Sequence, residues 1–600
     1  MSEEKIVNDL CIQVATVNGS GSQSSNNIII KTLFRMGIPV GGKNVFPSNI
    51  AGLPTWFIIR ANKHGYVGRK SDTDIVIAMN QDTIDEDFKN VIPGGVIIYN
   101  SDLKVSESSM RDDVALYPVP FNTLARENFT DIKLRKLLTN MLYVGFVTEL
   151  INLDQDIVKQ AISDNFKGKA KAVDVNVQAF EIGAKYFRDN FTKKDKYFVE
   201  KMDKNQGRIL IDGNSAGALG SLFSGCTVCT WYPITPSSSF CETLISYAKE
   251  HRVDENGVSA FAEIQAEDEL AAVGMLLGSS WAGARSVTST SGPGISLMAE
   301  FVGLGYYAEI PAVIWDIQRL GPSTGLPTRT CQGDIMSAYT LSHGDTKHIV
   351  LMPSSVEECF SFAGKAFDLA EKFQTPVFVL SDLDLGMNNW MCDEFKFNPA
   401  DYDRGKVLNA EDLEKVGKFE RYRDVDGDGI PYRTLPGTKH PLAGFFTRGS
   451  GHNEKAGYSE RPDDYKRNVD RLNKKYDTAK QFVPQPVLDN MSGAKVGIIA
   501  FGSSNSPMQE ARDILNSHGV KTNYLLVKAL PLVDEIQEFI KNNDVVYVVE
   551  QNRDAQFLKI LLMEYRDGDK KLKSVLNYDG MPLSALAIVN GILAQERVTV

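Results

Sequence analysis

Several common classes of protein are excluded by what this sequence has little of. Seven cysteines in 600 residues are an odd and sparse set, which suits free thiols in a reducing compartment better than a disulfide framework. Cys226-Thr227-Val228-Cys229 stands alone: an iron-sulfur cluster or structural zinc wants four ligands, so two buried thiols are expected. No run of about 18 apolar residues marks a membrane span. Basic residues number 65 against 76 acidic, a net charge of -11, which leaves no cationic footprint for nucleic acid. The opening MSEEKIVNDL carries acid where a secretory leader carries base, so export is not expected and a cytoplasmic location is.

Two near-motifs also lack a decisive residue. Gly19-Ser20-Gly21-Ser22-Gln23-Ser24 approaches a dinucleotide fingerprint, but serine replaces the third glycine and no acid follows about 20 positions on, which disfavours a nicotinamide cofactor. Asp424-Val425-Asp426-Gly427-Asp428-Gly429 matches the first half of a calcium loop, yet its twelfth position is Leu435, where a bidentate acid is needed. A solvated turn is expected there, with Asp424, Asp426 and Asp428 as the groups a cation would use. No internal repeat is evident.

What is present is an ordinary globular composition, 43% hydrophobic and 24% charged, in a chain long enough for roughly three to five domains. An apolar run at Leu10 to Val17, a glycine-rich turn and a periodic segment from Ile28 to Met36 read as strand, turn and helix. Strand-like runs at Asp74 to Ala78 and Gly95 to Tyr99 continue an α/β pattern to about residue 190. Residues 191–206, dense in Lys and Asp, read as a linker. From Arg208 strands and helices alternate again, predicting a parallel, doubly wound sheet. Residues 395–490 are charged, weakly periodic and punctuated by Gly and Pro, and read as a long excursion. Lys495 to Phe501, a helix to His518 and Val545 to Glu550 form a final α/β unit.

Four marked elements lie between Tyr232 and Thr330. They are Tyr232-Pro233-Ile234-Thr235-Pro236, the acidic run Gln265-Ala266-Glu267-Asp268-Glu269, the turn Ser291-Gly292-Pro293-Gly294, and Arg319-Leu320-Gly321-Pro322-Ser323-Thr324-Gly325-Leu326-Pro327-Thr328. Two prolines hold Thr235 on a stiff extended loop. Arg319 follows a buried strand and should stand at its carboxyl end, where open α/β sheets bind ligands and a guanidinium fork suits a carboxylate. The glycines of the third turn allow close backbone approach to a ligand. Gly213-Asn214-Ser215-Ala216 precedes a small-residue helix and is read as serving helix packing.

In this order the elements resemble the alpha subunit of the 2-oxoacid:ferredoxin oxidoreductases, in the form with a gamma domain fused ahead of it, over nearly the whole chain. The strings Phe46-Pro47-Ser48-Asn49-Ile50 and Gly52-Leu53-Pro54-Thr55 resemble the 2-oxoglutarate branch. The resemblance implies a multi-domain α/β fold: a gamma domain over 1–190, a thiamine diphosphate pyrimidine-binding domain over 205–394, the excursion 395–490, and a transketolase C-terminal-like domain over 491–600. Thiamine chemistry needs a carboxylate against N1′ of the aminopyrimidine. The family motif places it at Glu267, with Glu263 and Glu269 as rivals, and Glu267→Gln is then expected to abolish turnover. Glu267 before an apolar helix is equally an ordinary cap.

The resemblance further implies that Thr235, Arg319 and Thr328 hold the substrate carboxylate and that Tyr232, Pro233, Ile234, Gly292 and Gly294 line the cofactor. Gly427-Asp428-Gly429 with Asn453 imitates a magnesium diphosphate motif but lies outside a compact strand-helix unit. A beta subunit is therefore implied to carry diphosphate, Mg2+ and a [4Fe-4S] cluster, with coenzyme A as co-substrate, ferredoxin as acceptor and an (alpha-beta)2 assembly. Coenzyme A is placed near the gamma domain by family analogy. Asn552 resembles the family's last domain, although Ala555 stands where glycine is common. Pyruvate or branched 2-oxoacids are the alternative substrates. A self-contained thiamine carboligase, or a non-enzymatic cation- or nucleotide-binding scaffold, are the alternative functions.

Overall fold

The computed structural model describes residues 4–48, 52–397, 402–565 and 570–596. Asn49 and Ile50 of the Phe46–Ile50 string lie outside the described residues. Contacts divide the chain into two units, one of Met1–Ile211 with Asn388–Glu394 and Ser584–Leu586, the other of the remainder.

The first unit is built on a six-stranded sheet in the order Val40–Val45, Pro54–Asn62, Asp9–Val17, Thr73–Ala78, Val91–Asn100, Ala115–Val119. The first three strands pair antiparallel and the last three follow Asp9–Val17 in parallel. Cys11, Ile12, Val14 and Ala15 are all buried, the continuous apolar run of a strand covered on both faces. The helix Ile132–Ile151 starts where Asp131 accepts hydrogen bonds from the amides of Lys133 and Leu134, a side-chain cap that satisfies two orphan donors. Residues 191–206 are tied down rather than loose. Tyr197–Phe198 pairs with Ile6–Val7, and the Lys193 ammonium donates to the carbonyls of Leu150 and Tyr197 at 2.6 and 2.8 Å. Lysines that spend their charge on backbone carbonyls this way look, in sequence, like a solvated linker.

The second unit holds a seven-stranded sheet in the order Ala262–Gln265, Val228–Trp231, Ser286–Thr290, Ala312–Gln318, Pro376–Asp382, Ile349–Leu351, Ala529–Leu530. All pairings are parallel except the last. The chain leaves Val228–Trp231 for one neighbour and returns past it to Ser286–Thr290 on the other side, a reversal of winding that opens a crevice at the strands' carboxyl ends. A further five-stranded sheet runs Val487–Asp489, Thr522–Val527, Val496–Phe501, Val545–Glu550, Leu572–Leu576. Asn214 is fully buried and donates to the Pro236 carbonyl at 2.9 Å and to the Ser239 hydroxyl at 2.8 Å, so the small-residue helix also fixes the Thr235-Pro236 turn.

The charged segment after residue 395 is held by buried ion pairs. Glu309, fully buried beside the end of the helix Gly292–Tyr307, receives Arg471 at 2.6 Å and Lys475 at 2.7 Å, both from the helix Pro462–Thr478. Glu371 receives Arg404 at 2.9 Å, besides Arg285 at 3.1 Å.

The Asp424–Gly429 turn carries its own counterion. Asp424 accepts from the amides of Gly427, Asp428 and Gly429, and the Lys406 ammonium lies 2.6 Å from Asp426 and 2.8 Å from Asp428. Calcium should therefore leave the thermal midpoint of the chain unmoved. Lys406→Met should lower the midpoint slightly, by a cost under about 1 kcal/mol for so exposed a pair; a calcium-dependent rise in the natural chain would contradict the assignment.

Candidate active site

The four marked elements follow four adjacent strands of the seven-stranded sheet, all at carboxyl ends. Tyr232–Pro236 follows Val228–Trp231, the acidic run follows Ala262–Gln265, Ser291–Gly294 follows Ser286–Thr290, and Arg319 follows Ala312–Gln318. The parallel register thus gathers on one rim what the sequence scatters over almost a hundred residues.

Arg319 is the hub. It is buried, and its Nη1 donates to the Thr235 carbonyl at 2.6 Å across the Thr235-Pro236 cis peptide turn. Burial pushes its guanidinium down from the usual arginine value, against the pull of Asp334 and Glu269; it remains a cation, since arginine does not deprotonate in proteins. The loop that follows folds back on itself, with the Leu320 amide donating to the Arg329 carbonyl. Gly325 is required here: its φ is +53°, and a Cβ would lie 1.9 Å from the Leu320 carbonyl oxygen. Thr328 is buried, and its hydroxyl accepts from Arg329 at 3.2 Å. Thr235, Tyr232 and Pro233 are exposed and Ile234 is half-buried.

The three candidate carboxylates part company. Glu263 sits on the edge strand and pairs with Lys249 at 3.0 Å. Glu267 is exposed. Asp268, next to it, caps the helix Glu269–Trp281 through the Ala271 amide. Glu269, first residue of that helix, is only 6% exposed and lies against Gly294, where a Cβ would come within 2.8 Å of Glu269 Cγ and 1.9 Å of Thr290 Oγ1. Only glycine fits that turn. Gly292, by contrast, backs onto Asp334.

Gly292, Pro293, Arg319 and Asp334 line a cleft of about 790 Å³ whose other wall is Asn552, Arg553 and Tyr578. The walls are joined by Gln332, whose Nε2 donates to the Phe501 carbonyl at 2.9 Å and whose backbone amide donates to the Gln551 carbonyl at 2.8 Å. Ala555, just beyond Asn552, has φ +51°, the left-handed region in which glycine would be unstrained. Thr235, Thr328 and Glu269 do not line this cleft themselves. All seven cysteines are buried thiols outside any disulfide, Cys226 and Cys229 included.

Residues 220–390 match the family described as "Pyruvate flavodoxin/ferredoxin oxidoreductase, thiamine diP-bdg", and residues 11–186 the family "Pyruvate ferredoxin/flavodoxin oxidoreductase". The alpha subunit of 2-oxoacid:ferredoxin oxidoreductase 2 from Aeropyrum pernix is 30% identical over 651 aligned residues, which cover 99% of each chain. The chain belongs to the 2-oxoacid:ferredoxin oxidoreductase alpha subunits. Its fold also superposes, over all of both chains and with a TM-score of 0.88 at 29% identity, on 2-oxoglutarate:ferredoxin oxidoreductase from Magnetococcus marinus, solved with 2-oxoglutarate, coenzyme A and succinyl-CoA bound. The 2-oxoglutarate synthase subunit KorA of Methanothermobacter marburgensis is 32% identical over 58% of this chain and 89% of its own.

In this alpha subunit the donor set suits the aminopyrimidine half of thiamine diphosphate, with a buried carboxylate, Glu269, beside a glycine turn at a helix start. Among the described residues no group of three His, Cys, Asp or Glu side chains is arranged to hold a metal ion, and no helix is long and apolar enough to cross a membrane. Two further acids at this rim escaped the sequence reading, the buried Asp316 and the half-buried Asp334. Asp316 interrupts an otherwise apolar strand, Ala312-Val313-Ile314-Trp315-Asp316-Ile317, and a charge inside a strand covered on both faces is the signal that marks it.

Proposed function

We propose that this alpha subunit, with a beta subunit, converts a 2-oxoacid, coenzyme A and oxidised ferredoxin to acyl-CoA, carbon dioxide and reduced ferredoxin, with 2-oxoglutarate as the substrate and succinyl-CoA as the product. The reverse carboxylation would use the same site. The observation that carries the reading is the buried Arg319, braced on Thr235 and set beside Glu269 at one rim of the sheet. Thiamine diphosphate, when bound, supplies the electron sink that decarboxylation requires.

Glu269, rather than Glu267, is assigned to N1′ of that cofactor: it is the acid sheltered from water, at a helix start where a carboxylate is stabilised. Arg319 receives the substrate carboxylate, with Thr235 and Thr328 beside it, and Tyr232, Pro233, Ile234, Gly292 and Gly294 form the wall the pyrimidine meets. The beta subunit would bring diphosphate, Mg2+ and the [4Fe-4S] cluster that passes single electrons to ferredoxin, in a cytoplasmic (alpha-beta)2 assembly. Coenzyme A is assigned to the first unit, where a polar cavity of about 290 Å³ at the glycine turn is lined by Thr16, Ser22, Asn26, Asn44 and Thr55; amides at a helix start suit its phosphates.

Anaerobic co-purification with the beta subunit, followed by coenzyme A-dependent dye reduction with 2-oxoglutarate and pyruvate in parallel, tests the reading. Turnover chiefly with 2-oxoglutarate is expected; a preference for pyruvate corrects the substrate, and no turnover with either defeats the proposal. In the same assay Arg319→Lys should raise KM for the 2-oxoacid. Loss of a bidentate charged contact is worth about 1.5–3 kcal/mol, a rise of roughly tenfold to a hundredfold. An unchanged KM would remove Arg319 from the substrate site.

A further inference from the structure

Behind Arg319 lie two acids that the chemistry above leaves unused. Asp316 stands near the carboxyl end of the strand Ala312–Gln318 with no exposure, and neither of its carboxylate oxygens has a hydrogen-bond donor. Asp334 lies beside it, lines the cleft and presses on Gly292, with Oδ2 likewise lacking a donor. Carboxylates only accept hydrogen bonds. Two of them facing each other without a donor hold together only by keeping a proton between them. Arg319 is the cation that acts on Asp334; its Nη1 is committed to Thr235, and its Nε is buried without an acceptor.

We propose that Asp316 and Asp334 are positioning residues that share one proton, so that Asp334 gives Arg319 a weak counterion which the carboxylate of the substrate displaces. The inference rests on Arg319 being the carboxylate receptor. A fully ionised Asp334 would satisfy the guanidinium and compete with substrate, whereas no carboxyl at all would leave a desolvated cation unsupported. A shared proton keeps the partner between these limits. Burial first, and then the mutual repulsion of the two acids, pushes Asp316 far up, while burial brings Asp334 to about 6.

The other ionisable groups around the pair are accounted for. Glu269 acts on Arg319 from the neighbouring helix start. Cys331, its thiol pushed up to about 12 by burial, stays neutral. Asp382, on the adjacent strand and pushed up to about 6 by burial, is a rival titration, and so is Glu550, raised by burial and bonded to Asn552 of the far wall. Arg553 and Asp554 on the far wall pair with each other at 2.7 Å.

As pH rises through about 6 the pair passes from two protons to one, and only at the far higher value of Asp316 does the shared proton leave, so that Asp334 gains full charge and the substrate must compete for Arg319. In the assembled enzyme KM for the 2-oxoacid should therefore climb with pH, by at most about tenfold per unit because one proton is lost, with kcat little changed. Asp316→Asn supplies an amide donor that keeps Asp334 ionised, and should give a high KM without the pH slope. Asp334→Asn should give a low KM, also without slope. If both variants keep the natural slope, it belongs to a group outside the pair, such as Asp382 or Glu550, and the proposal fails. If they lose only kcat and thermal stability, the pair is merely structural and the proposal fails equally.

Infrared spectra of the full chain provide a readout independent of turnover: the carboxylic acid C=O band should weaken in Asp316→Asn relative to the natural chain, and an unchanged band overturns the shared proton. Absence of turnover in the natural complex would defeat the receptor reading and the positioning role with it. The infrared difference would still decide the proton.

Discussion

Glu269→Gln should lower coenzyme A-dependent turnover of the assembled enzyme by at least about 100-fold, the low end for removing a proton-transferring group, while the protein stays folded. Glutamine keeps the shape of the side chain, so its packing against Gly294 survives and only the charge is lost. Glu267→Gln should stay within a few-fold of the natural rate, because that side chain is exposed and its neighbour Asp268 makes the helix cap. Purified variants compared by initial rate and thermal midpoint separate the two acids. A dead Glu267→Gln beside an active Glu269→Gln would restore the assignment that the sequence motif favours.

The largest effect on stability is expected at Glu309. Removing one partner from a buried ion pair leaves an uncompensated charge and costs about 3–5 kcal/mol, and here Glu309→Gln strands both Arg471 and Lys475. Burial alone would raise the Glu309 pKa, but Arg471 and Lys475 reverse this and hold its carboxyl well below the usual glutamate range. A depressed acid stabilises the fold above its unfolded value, near 4.3, and this contribution fades as pH falls through the lower native value. Burial lowers Lys475 to about 8, so both cations hold Glu309 at neutral pH and Arg471 carries the pairing alone only above that value. Hydrogen exchange should show Pro462–Thr478 opening first in Glu309→Gln; protection equal to that of the natural chain would contradict the clamp.

Much of the site was readable in the sequence because its parts are turns, and turns declare themselves through glycine and proline. Tyr232–Pro236, Ser291–Gly294 and Arg319–Thr328 each interrupt an apolar run, and the parallel sheet that collects them follows from alternating strands and helices. The choice among acids two residues apart was harder, since one residue of register decides which carboxyl turns inward. A usable signal existed. Glu269 shares a helical face with Ala272, Val273 and Leu276, all buried, which are its neighbours three, four and seven positions on. The ion pairs of residues 395–490 were hidden for another reason: Arg471 and Lys475 lie in a helix whose composition is that of a solvated surface, and only the distant Glu309 reveals that they are inside.

The Glu309 clamp also bears on the order in which the protein can be made. Synthesis delivers Glu309 more than 150 residues before its ion-pair partners Arg471 and Lys475, so a nascent sheet domain emerges with a carboxylate whose paired cations are still to come. The seal of Glu309 can therefore be completed only after the helix Pro462–Thr478 has been made. A truncated product ending before residue 471 would lack both side chains that pair with the Glu309 carboxylate, leaving only Arg421 to offset its charge.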